Sequence, residues 1–151
     1  MKILATGIGR RWTAGGPESA ASMGREPPTH MARILIVDDS ATELRQLAQM
    51  LERHGHHVLA ASTGREGVSL ANSEQPDLVL MDVVMPEVNG FQATRQIARE
   101  EHTSHIPVII VSAKDQAADR VWGERQGAKG YLTKPVKEGD LMAAVNQVLG
   151  S

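Results

Sequence analysis

The sequence has no cysteine, no long hydrophobic run and no large net charge. Without cysteine the protein has no disulfide, no thiolate nucleophile and no Cys-ligated zinc, which fits a cytoplasmic location. No apolar stretch approaches the roughly 20 residues of a membrane span, so a soluble protein without membrane insertion is expected. The formal net charge of −2 provides no electrostatic footprint for nucleic acid. These absences point to a soluble cytoplasmic protein.

The length and composition indicate one globular domain with a separate leader. A chain of 151 residues with 41% hydrophobic residues is long enough for one ordinary core and short for two. The first 30 residues are punctuated by glycine and proline among serine, threonine and alanine, and no helical or strand period lasts there. We therefore predict a disordered leader over residues 1–31 and one folded domain over residues 32–151.

From Arg33 onward, short apolar runs alternate with amphipathic segments. Continuous apolar runs of this length are typical of strands buried on both faces of a parallel sheet. The predicted strands are Ile34–Val37, His57–Ala61, Leu78–Asp82, Pro107–Ser112 and Gly130–Leu132. The first predicted helix follows the N-cap Ser40 and is stopped by Gly55, and the next three run from about Thr63 to Glu74, Asn89 to Glu101 and Asp115 to Gln126. A last helix carries Leu141, Ala144, Val145 and Val148. The alternation predicts an α/β fold, a doubly wound five-stranded parallel sheet with five helices on its two faces.

Polar residues stand at the carboxyl ends of four predicted strands. Asp38 and Asp39 follow the first strand, Asp82 ends the third, Ser112 ends the fourth and Lys134 follows the fifth. Ligands of open parallel sheets bind beyond these ends, at the switch in strand order. A single aspartate at a strand end is more often a turn former or a helix cap, but five polar residues in register outweigh that interpretation. We expect the five side chains to meet at one edge of the sheet.

The residue types at this edge suit phosphoryl transfer. Three crowded carboxylates need a cation, and oxygen ligands without His or Cys favour Mg²⁺ over zinc. We predict Mg²⁺ bound by Asp39 and Asp82, with Asp38 acting partly through water. Lys134 is a point charge for one phosphoryl oxygen, and the hydroxyl of Ser112 donates a hydrogen bond to another. Asp82 is the natural nucleophile, because aspartyl phosphate formation uses a carboxylate.

Several separated motifs resemble those of response-regulator receiver domains of the chemotaxis-regulator, or CheY-like, type. They are Asp38-Asp39, Asp82 with Met85-Pro86 and Gly90, Ser112-Ala113, and the run YLTKP at Tyr131–Pro135. The resemblance extends from Arg33 to about Leu149. It implies a flavodoxin-like single domain in which the strands are ordered 2-1-3-4-5.

The resemblance implies that Asp82 accepts a phosphoryl group from the phosphohistidine of a histidine kinase. Asp38 and Asp39 then serve Mg²⁺, and the backbone carbonyl of Val84 completes the metal site. Lys134 contacts the phosphoryl group. A receiver is a phosphoacceptor with self-catalysed phosphotransfer and autodephosphorylation, so the chain is not expected to be an enzyme with a separate substrate.

The resemblance also implies a conformational switch. Ser112 moves toward the phosphoryl group and Tyr131 changes rotamer. A downstream protein target then binds the face formed by the fourth helix, the fifth strand and the fifth helix. The peptide bond before Pro135 is expected to be cis, which only X-Pro bonds adopt at low cost. Pro86 and Gly90 are expected to shape the turn that keeps Asp82 accessible.

A finer resemblance concerns the pathway. The stretches NGFQATRQ at Asn89–Gln96, IPVIIVSAKDQ at Ile106–Gln116 and VWGERQGA at Val121–Ala128 are similar to the stand-alone regulators of twitching motility, which act in type IV pilus chemosensory systems. The sequence ends directly after the fifth predicted helix. Output by protein contact is therefore expected, or a role as a phosphate sink in a phosphorelay.

Two other functions share parts of this pattern. A small aspartyl-phosphate phosphohydrolase uses the same chemistry, but it needs room for a cap domain and a second aspartate where this chain has Val84. A pseudo-receiver binds partners without phosphate, and the intact set of Asp38, Asp39, Asp82 and Lys134 argues against it.

The neighbouring histidines and one tryptophan give weaker indications of function. His54, His56 and His57 span a helix end and a strand start, so we interpret them as surface residues rather than metal ligands. Trp122 lies on the fourth predicted helix, where it either packs into the core or anchors a partner.

Overall fold

A computed structural model describes residues 31–85 and 88–150 of the chain. The leader predicted over residues 1–31 lies outside this part except for Met31, and so does Pro86. Contacts group Met31–Ser151 as one compact unit. Within the described ranges, no helix is both long enough and apolar enough to cross a bilayer.

Strands and helices alternate along the chain as the sequence predicts. The strands are β1 (Arg33–Val37), β2 (His57–Ala61), β3 (Leu78–Asp82), β4 (Val108–Ser112) and β5 (Gly130–Thr133). The helices are α1 (Ala41–Arg53), α2 (Gly64–Glu74), α3 (Gly90–Arg99), α4 (Ala117–Arg125) and α5 (Glu138–Val148). The strands form one parallel sheet in the order β2-β1-β3-β4-β5. This arrangement confirms the doubly wound α/β fold and its strand order.

The sheet is buried between two layers of helices, which explains the unbroken apolar strands. Every residue of β3 and β4 is buried. Alternate side chains point to opposite faces, so Ile36 and Leu80 pack with Leu47 of α1 and Leu141 of α5. On the opposite face, the neighbouring positions of the same strands pack against α2 and α3, with Val37, Met81, Ala71, Ala93 and Ile97 in one cluster.

The helices α3 and α4 differ most from their predicted ranges, and local hydrogen bonds account for the shorter α3. The helix predicted from Asn89 to Glu101 runs from Gly90 to Arg99, because Asn89 is its N-cap in a complete capping box with Gln92. At its other end, the buried Thr103 hydroxyl donates to the Ile97 carbonyl at 2.7 Å and so satisfies a last-turn acceptor. The helix predicted from Asp115 begins at Ala117, since the N-cap Gln116 has an extended backbone.

His56 is buried, so the prediction that all three neighbouring histidines lie on the surface is wrong. Gly55 ends α1 with a φ of +88°, and the turn directs the next side chain inward. His56 is 4% exposed, and its Nδ1 accepts the Ala32 backbone N–H at 3.1 Å. This bond fixes the proton on Nε2, which is buried and has no hydrogen-bond partner among the described residues. His56 therefore folds as a neutral side chain.

The neutral state of His56 makes stability depend on pH. Burial lowers its pKa below the ordinary value of 6.5, and the nearby His54 and His57 lower it further against an opposing effect of Asp77. The unfolded chain therefore binds a proton that the folded chain excludes. Stability from this site is complete above the unfolded pKa and is lost as the pH falls below it, with a limiting slope of about 1.4 kcal/mol per pH unit.

We expect His56→Asn to flatten the dependence of unfolding free energy on pH. Asparagine keeps an acceptor near the position of Nδ1 but does not titrate. Urea unfolding between about pH 7.5 and about pH 5.5 measures the slope, with His57→Asn as the control because His57 is exposed. Equal slopes in native protein and His56→Asn would contradict this account.

Candidate functional site

The register of the parallel sheet brings the predicted acidic residues together. Val37 of β1 pairs with Met81 of β3, so the next residues, Asp38 and Asp82, lie side by side at the carboxyl ends of these strands. Asp82 pairs with Val111, one residue before the end of β4. The carboxyl ends of these strands therefore form the floor of one site.

Three carboxylates form a cluster suited to a divalent cation. One oxygen from each of Asp38, Asp39 and Asp82 lies within 4.8 Å of the others. Asp38 and Asp82 are buried and Asp39 is exposed, so the cluster opens to solvent on one side. Burial raises the pKa of Asp82, and the charge of Asp38 raises it further, while Lys134 opposes this only partly. Lys134 therefore does not balance the negative charge of the three carboxylates. Their oxygen-only ligand set fits Mg²⁺.

Lys134 joins the acidic cluster from the segment after β5, the strand at one side of the sheet. Its backbone N–H donates to the Ser112 carbonyl at 2.8 Å, which continues the β4–β5 pairing past the last residue of β5. Its ammonium donates to Asp38 Oδ2 at 3.1 Å and to Asp82 Oδ1 at 3.2 Å. Burial works to lower the pKa of Lys134, but the bond to Glu43 and the charges of Asp82 and Asp38 outweigh it, so the pKa is raised. Lys134 is therefore a fixed positive charge in contact with the predicted nucleophile.

Glu43 belongs to the site, and the sequence analysis did not select it. Its carboxylate forms an ion pair with Lys134 from the first turn of α1. The pattern Ser40-x-x-Glu43 is the signature of a capping box, which is a local explanation for a glutamate at this position. Its position only a few residues after Asp38-Asp39 in the sequence could have identified it, because the first turn of a helix that follows β1 lies at the same edge of the sheet as these acids.

Ser112 and Tyr131 are connected through the loop after β4. Ser112 is fully buried, and its Oγ accepts the Lys114 backbone N–H at 3.1 Å. The Tyr131 hydroxyl donates to the Lys114 carbonyl at 2.6 Å, and the Arg120 guanidinium lies 5.0 Å from the centre of the Tyr131 ring. These hydrogen bonds place both predicted switch residues around one short loop, while their movement stays a prediction.

The turn after Asp82 depends on Gly90. The Gly90 N–H donates to the Val83 carbonyl at 2.8 Å, and a Cβ at this position would overlap the carbonyl oxygen of Asp82. Val84 lies in this turn and is 64% exposed. The role of its backbone carbonyl as a ligand of the metal stays a prediction. The Lys134–Pro135 peptide bond is cis, as the resemblance implies. The predicted role of Pro86 concerns a residue outside the described part of the chain.

The chain belongs to the response regulator receiver domain family, whose model matches residues 34–146. It is 63% identical over 119 residues to Protein PilH of Pseudomonas aeruginosa, which covers 79% of this chain and 98% of that protein. Several other relatives are longer, and the chain spans 26 to 49% of three of them. The match confirms the class of protein inferred from the motifs.

Solved structures share the same fold. Chemotaxis protein CheY4 of Vibrio cholerae aligns with a TM-score of 0.74 and 27% identity, over 79% of this chain and 99% of that chain. The receiver domain of the sensor histidine kinase PA1611 of Pseudomonas aeruginosa also aligns with a TM-score of 0.74, at 30% identity over 81% of this chain and 100% of that chain. That structure contains a magnesium ion coordinated in the active-site cleft.

We expect Gly90→Ala to damage the site, because the new Cβ must displace the Asp82 carbonyl or the turn itself. The cost in unfolding free energy is about 1–3 kcal/mol, and the affinity for Mg²⁺ falls as Asp82 shifts. Urea unfolding and calorimetric titration with Mg²⁺ measure both effects.

The matched control is Gly139→Ala in α5, where an added Cβ meets nothing within 4 Å. Gly139 is the second residue of α5, where alanine has the higher helix propensity, so stability should rise by up to about 1 kcal/mol with unchanged Mg²⁺ affinity. Equal behaviour of the two variants would show that Gly90 has no special place in the turn.

Proposed function

We propose that the protein is a phosphoacceptor of two-component signalling and that Asp82 receives the phosphoryl group from a histidine kinase. The observation that carries this proposal is the contact of Lys134 with a buried Asp82 carboxylate, 3.2 Å apart, beside two further acids. A structural ion pair needs one acid for one lysine. The surplus of carboxylates suits a site that gains a cation and a phosphoryl group.

The proposed transfer is a displacement at phosphorus. One Asp82 carboxylate oxygen forms the new O–P bond, and the N–P bond of the phosphohistidine breaks. The donor ring reacts with a proton on its other nitrogen, so the ring leaves as neutral imidazole when the electron pair of the N–P bond stays on the nitrogen that carried the phosphoryl group. Lys134 neutralises charge on the phosphoryl oxygens, and the Ser112 hydroxyl donates to one of them. Asp38, Asp39, Asp82 and the Val84 carbonyl would hold Mg²⁺, whose positive charge would stabilise the negative charge on the phosphoryl oxygens.

The geometry favours a phosphoacceptor over a small phosphohydrolase. A hydrolase of this chemistry needs a second aspartate two residues after the nucleophile, as a general acid for the leaving group and a base for water. The residue two positions after Asp82 is Val84, whose exposed side chain cannot transfer a proton. The aspartyl phosphate should therefore persist long enough to act as a signal.

The proposed output surface lies on α4, β5 and α5. Trp122 and Val121 of α4 are 50% and 48% exposed, which supports an interface role for Trp122 rather than core packing. Large exposed aromatic residues are common anchors at protein interfaces. The proposed downstream target is therefore a protein that binds over Trp122. The alternative role as a phosphate sink requires no such partner.

The proposed switch couples the site to this surface through the Lys114 backbone. When the Ser112 hydroxyl turns to donate to the phosphoryl group, the bond that it accepts from the Lys114 N–H is disturbed. The Lys114 carbonyl holds the Tyr131 hydroxyl, so a shift of this peptide releases or reorients the Tyr131 ring. Site occupancy and the shape of the output surface then change together.

The proposed pathway is type IV pilus twitching motility or chemotaxis, with action in the cytoplasm. Support comes from the motif resemblance at Asn89–Gln96 and from the similarity to Protein PilH over almost all of that protein. That relative has little sequence beyond the matched 119 residues, which supports signalling by the receiver itself.

Incubation with a small phosphodonor and Mg²⁺ tests the chemistry. We expect about one phosphoryl group per chain on native protein, dependent on Mg²⁺, and none on Asp82→Ala. Turnover of many equivalents would support the phosphohydrolase, and the absence of label would support a pseudo-receiver. Asp140→Asn, an exposed acid on α5, is the control and should label as native protein does.

A further inference from the structure

Glu43 departs from the local pattern at the N-termini of α2 and α3, the two other helices whose N-cap side chain accepts a hydrogen bond. In α3, the side chain at the third helical position, Gln92, accepts the backbone N–H of its N-cap Asn89 at 3.2 Å. In α2, the corresponding Glu66 accepts from Ser62 beside the cap at 2.9 Å. Both side chains thus satisfy donors of their own helix start.

At α1 the same position serves the functional site instead. Ser40 caps the helix by accepting the Glu43 backbone N–H at 3.3 Å, so half of a capping box is present. The Ser40 N–H, which would complete the box, donates to Asp38 Oδ1 at 2.9 Å. The Glu43 carboxylate is thereby released from capping and forms its ion pair with Lys134.

Lys134 is consequently shared among three carboxylates. Two of them, on Asp38 and Asp82, are the predicted ligands of Mg²⁺, but Glu43 is outside the acidic cluster that could hold a metal. Phosphorylation of Asp82 replaces a single negative charge with close to two. Lys134 must then face the phosphoryl oxygens while the Glu43 carboxylate attracts the same ammonium and repels the new anion.

We propose that Glu43 is a positioning residue that acts through Lys134, raising the affinity of the site for Mg²⁺ and lowering its affinity for the phosphoryl group. This inference rests on the proposed function of Asp82. Glu43 adds a negative charge beside the cation site and competes with Asp38 and Asp82 for the Lys134 ammonium, and both effects favour Mg²⁺. The same two effects disfavour a bound phosphoryl anion.

The surroundings allow Glu43 to leave Lys134 when the site is filled. Its side chain is 46% exposed, while that of Lys134 is 17% exposed. An open cleft of about 320 Å³ between α1 and the segment after β5 includes both residues, together with Gln46, Met50 and Val136. Glu43 can therefore swing toward solvent without displacing a packed side chain.

Titration calorimetry on native protein and Glu43→Gln tests the proposal. Glutamine keeps the shape of the side chain and removes its charge. We expect Mg²⁺ to bind about threefold to tenfold more weakly to the variant. At saturating Mg²⁺, beryllofluoride, a stable anionic substitute for the phosphoryl group, should bind about threefold to tenfold more tightly. Glu43→Asp, which keeps the charge, should lie between native protein and Glu43→Gln in both titrations.

The matched control is Glu66→Gln, the same change at the same position of α2, which should leave both affinities as in native protein. Opposite shifts for the cation and the anion identify an electrostatic role, because loosening of the site would weaken both. Two weakened affinities, or two unchanged ones, in Glu43→Gln would overturn the proposal. Failure of the native protein to bind beryllofluoride would overturn the proposed function itself and this inference with it.

Discussion

The contact of one ammonium with carboxylates from separate elements is the interaction on which the site depends. Lys134 reaches Asp38 after β1, Asp82 at the end of β3 and Glu43 on α1. Lys134 and Asp82 lie far in the sequence from each other and from Asp38 and Glu43, so the complete fold must form before the charges meet. Burial of Asp82 and the neighbouring charge of Asp38 both disfavour this arrangement, and both raise the pKa of Asp82. The buried apolar strands supply the stability that keeps the acids together.

The parallel sheet makes this arrangement geometrically simple. Strands that run in one direction place all their carboxyl ends at one edge, and the crossover helices start from that edge. The pairing of Val37 with Met81 sets Asp38 beside Asp82, and the pairing of Ser112 with Thr133 sets Lys134 beyond them. The first turn of α1 lies above the same edge, which is why Glu43 reaches Lys134. The positions of the charged side chains in the site thus follow from the register of the strands.

Strand periodicity predicted the fold and most of the site, because buried parallel strands have an unmistakable apolar pattern and their ends share one edge. Side-chain direction was not predictable in the same way. Glu43 has a sufficient local explanation as a capping residue, and only the position of Lys134 shows that it has another partner. His56 carries a polar ring in a polar stretch, and its burial follows from the turn at Gly55. Both residues depend on tertiary contacts that a linear pattern does not encode.

The central claim is that the Asp82 carboxylate itself carries the phosphoryl group. Borohydride reduction of phosphorylated protein tests it directly, because an acyl phosphate is reduced to the alcohol and an aspartate becomes homoserine. Peptide mapping by mass spectrometry then locates the altered residue. The account predicts homoserine at position 82 alone, in protein treated with phosphodonor and Mg²⁺. Homoserine at position 38 or 39 instead, or a phosphorylated protein with no reduced residue, would contradict it.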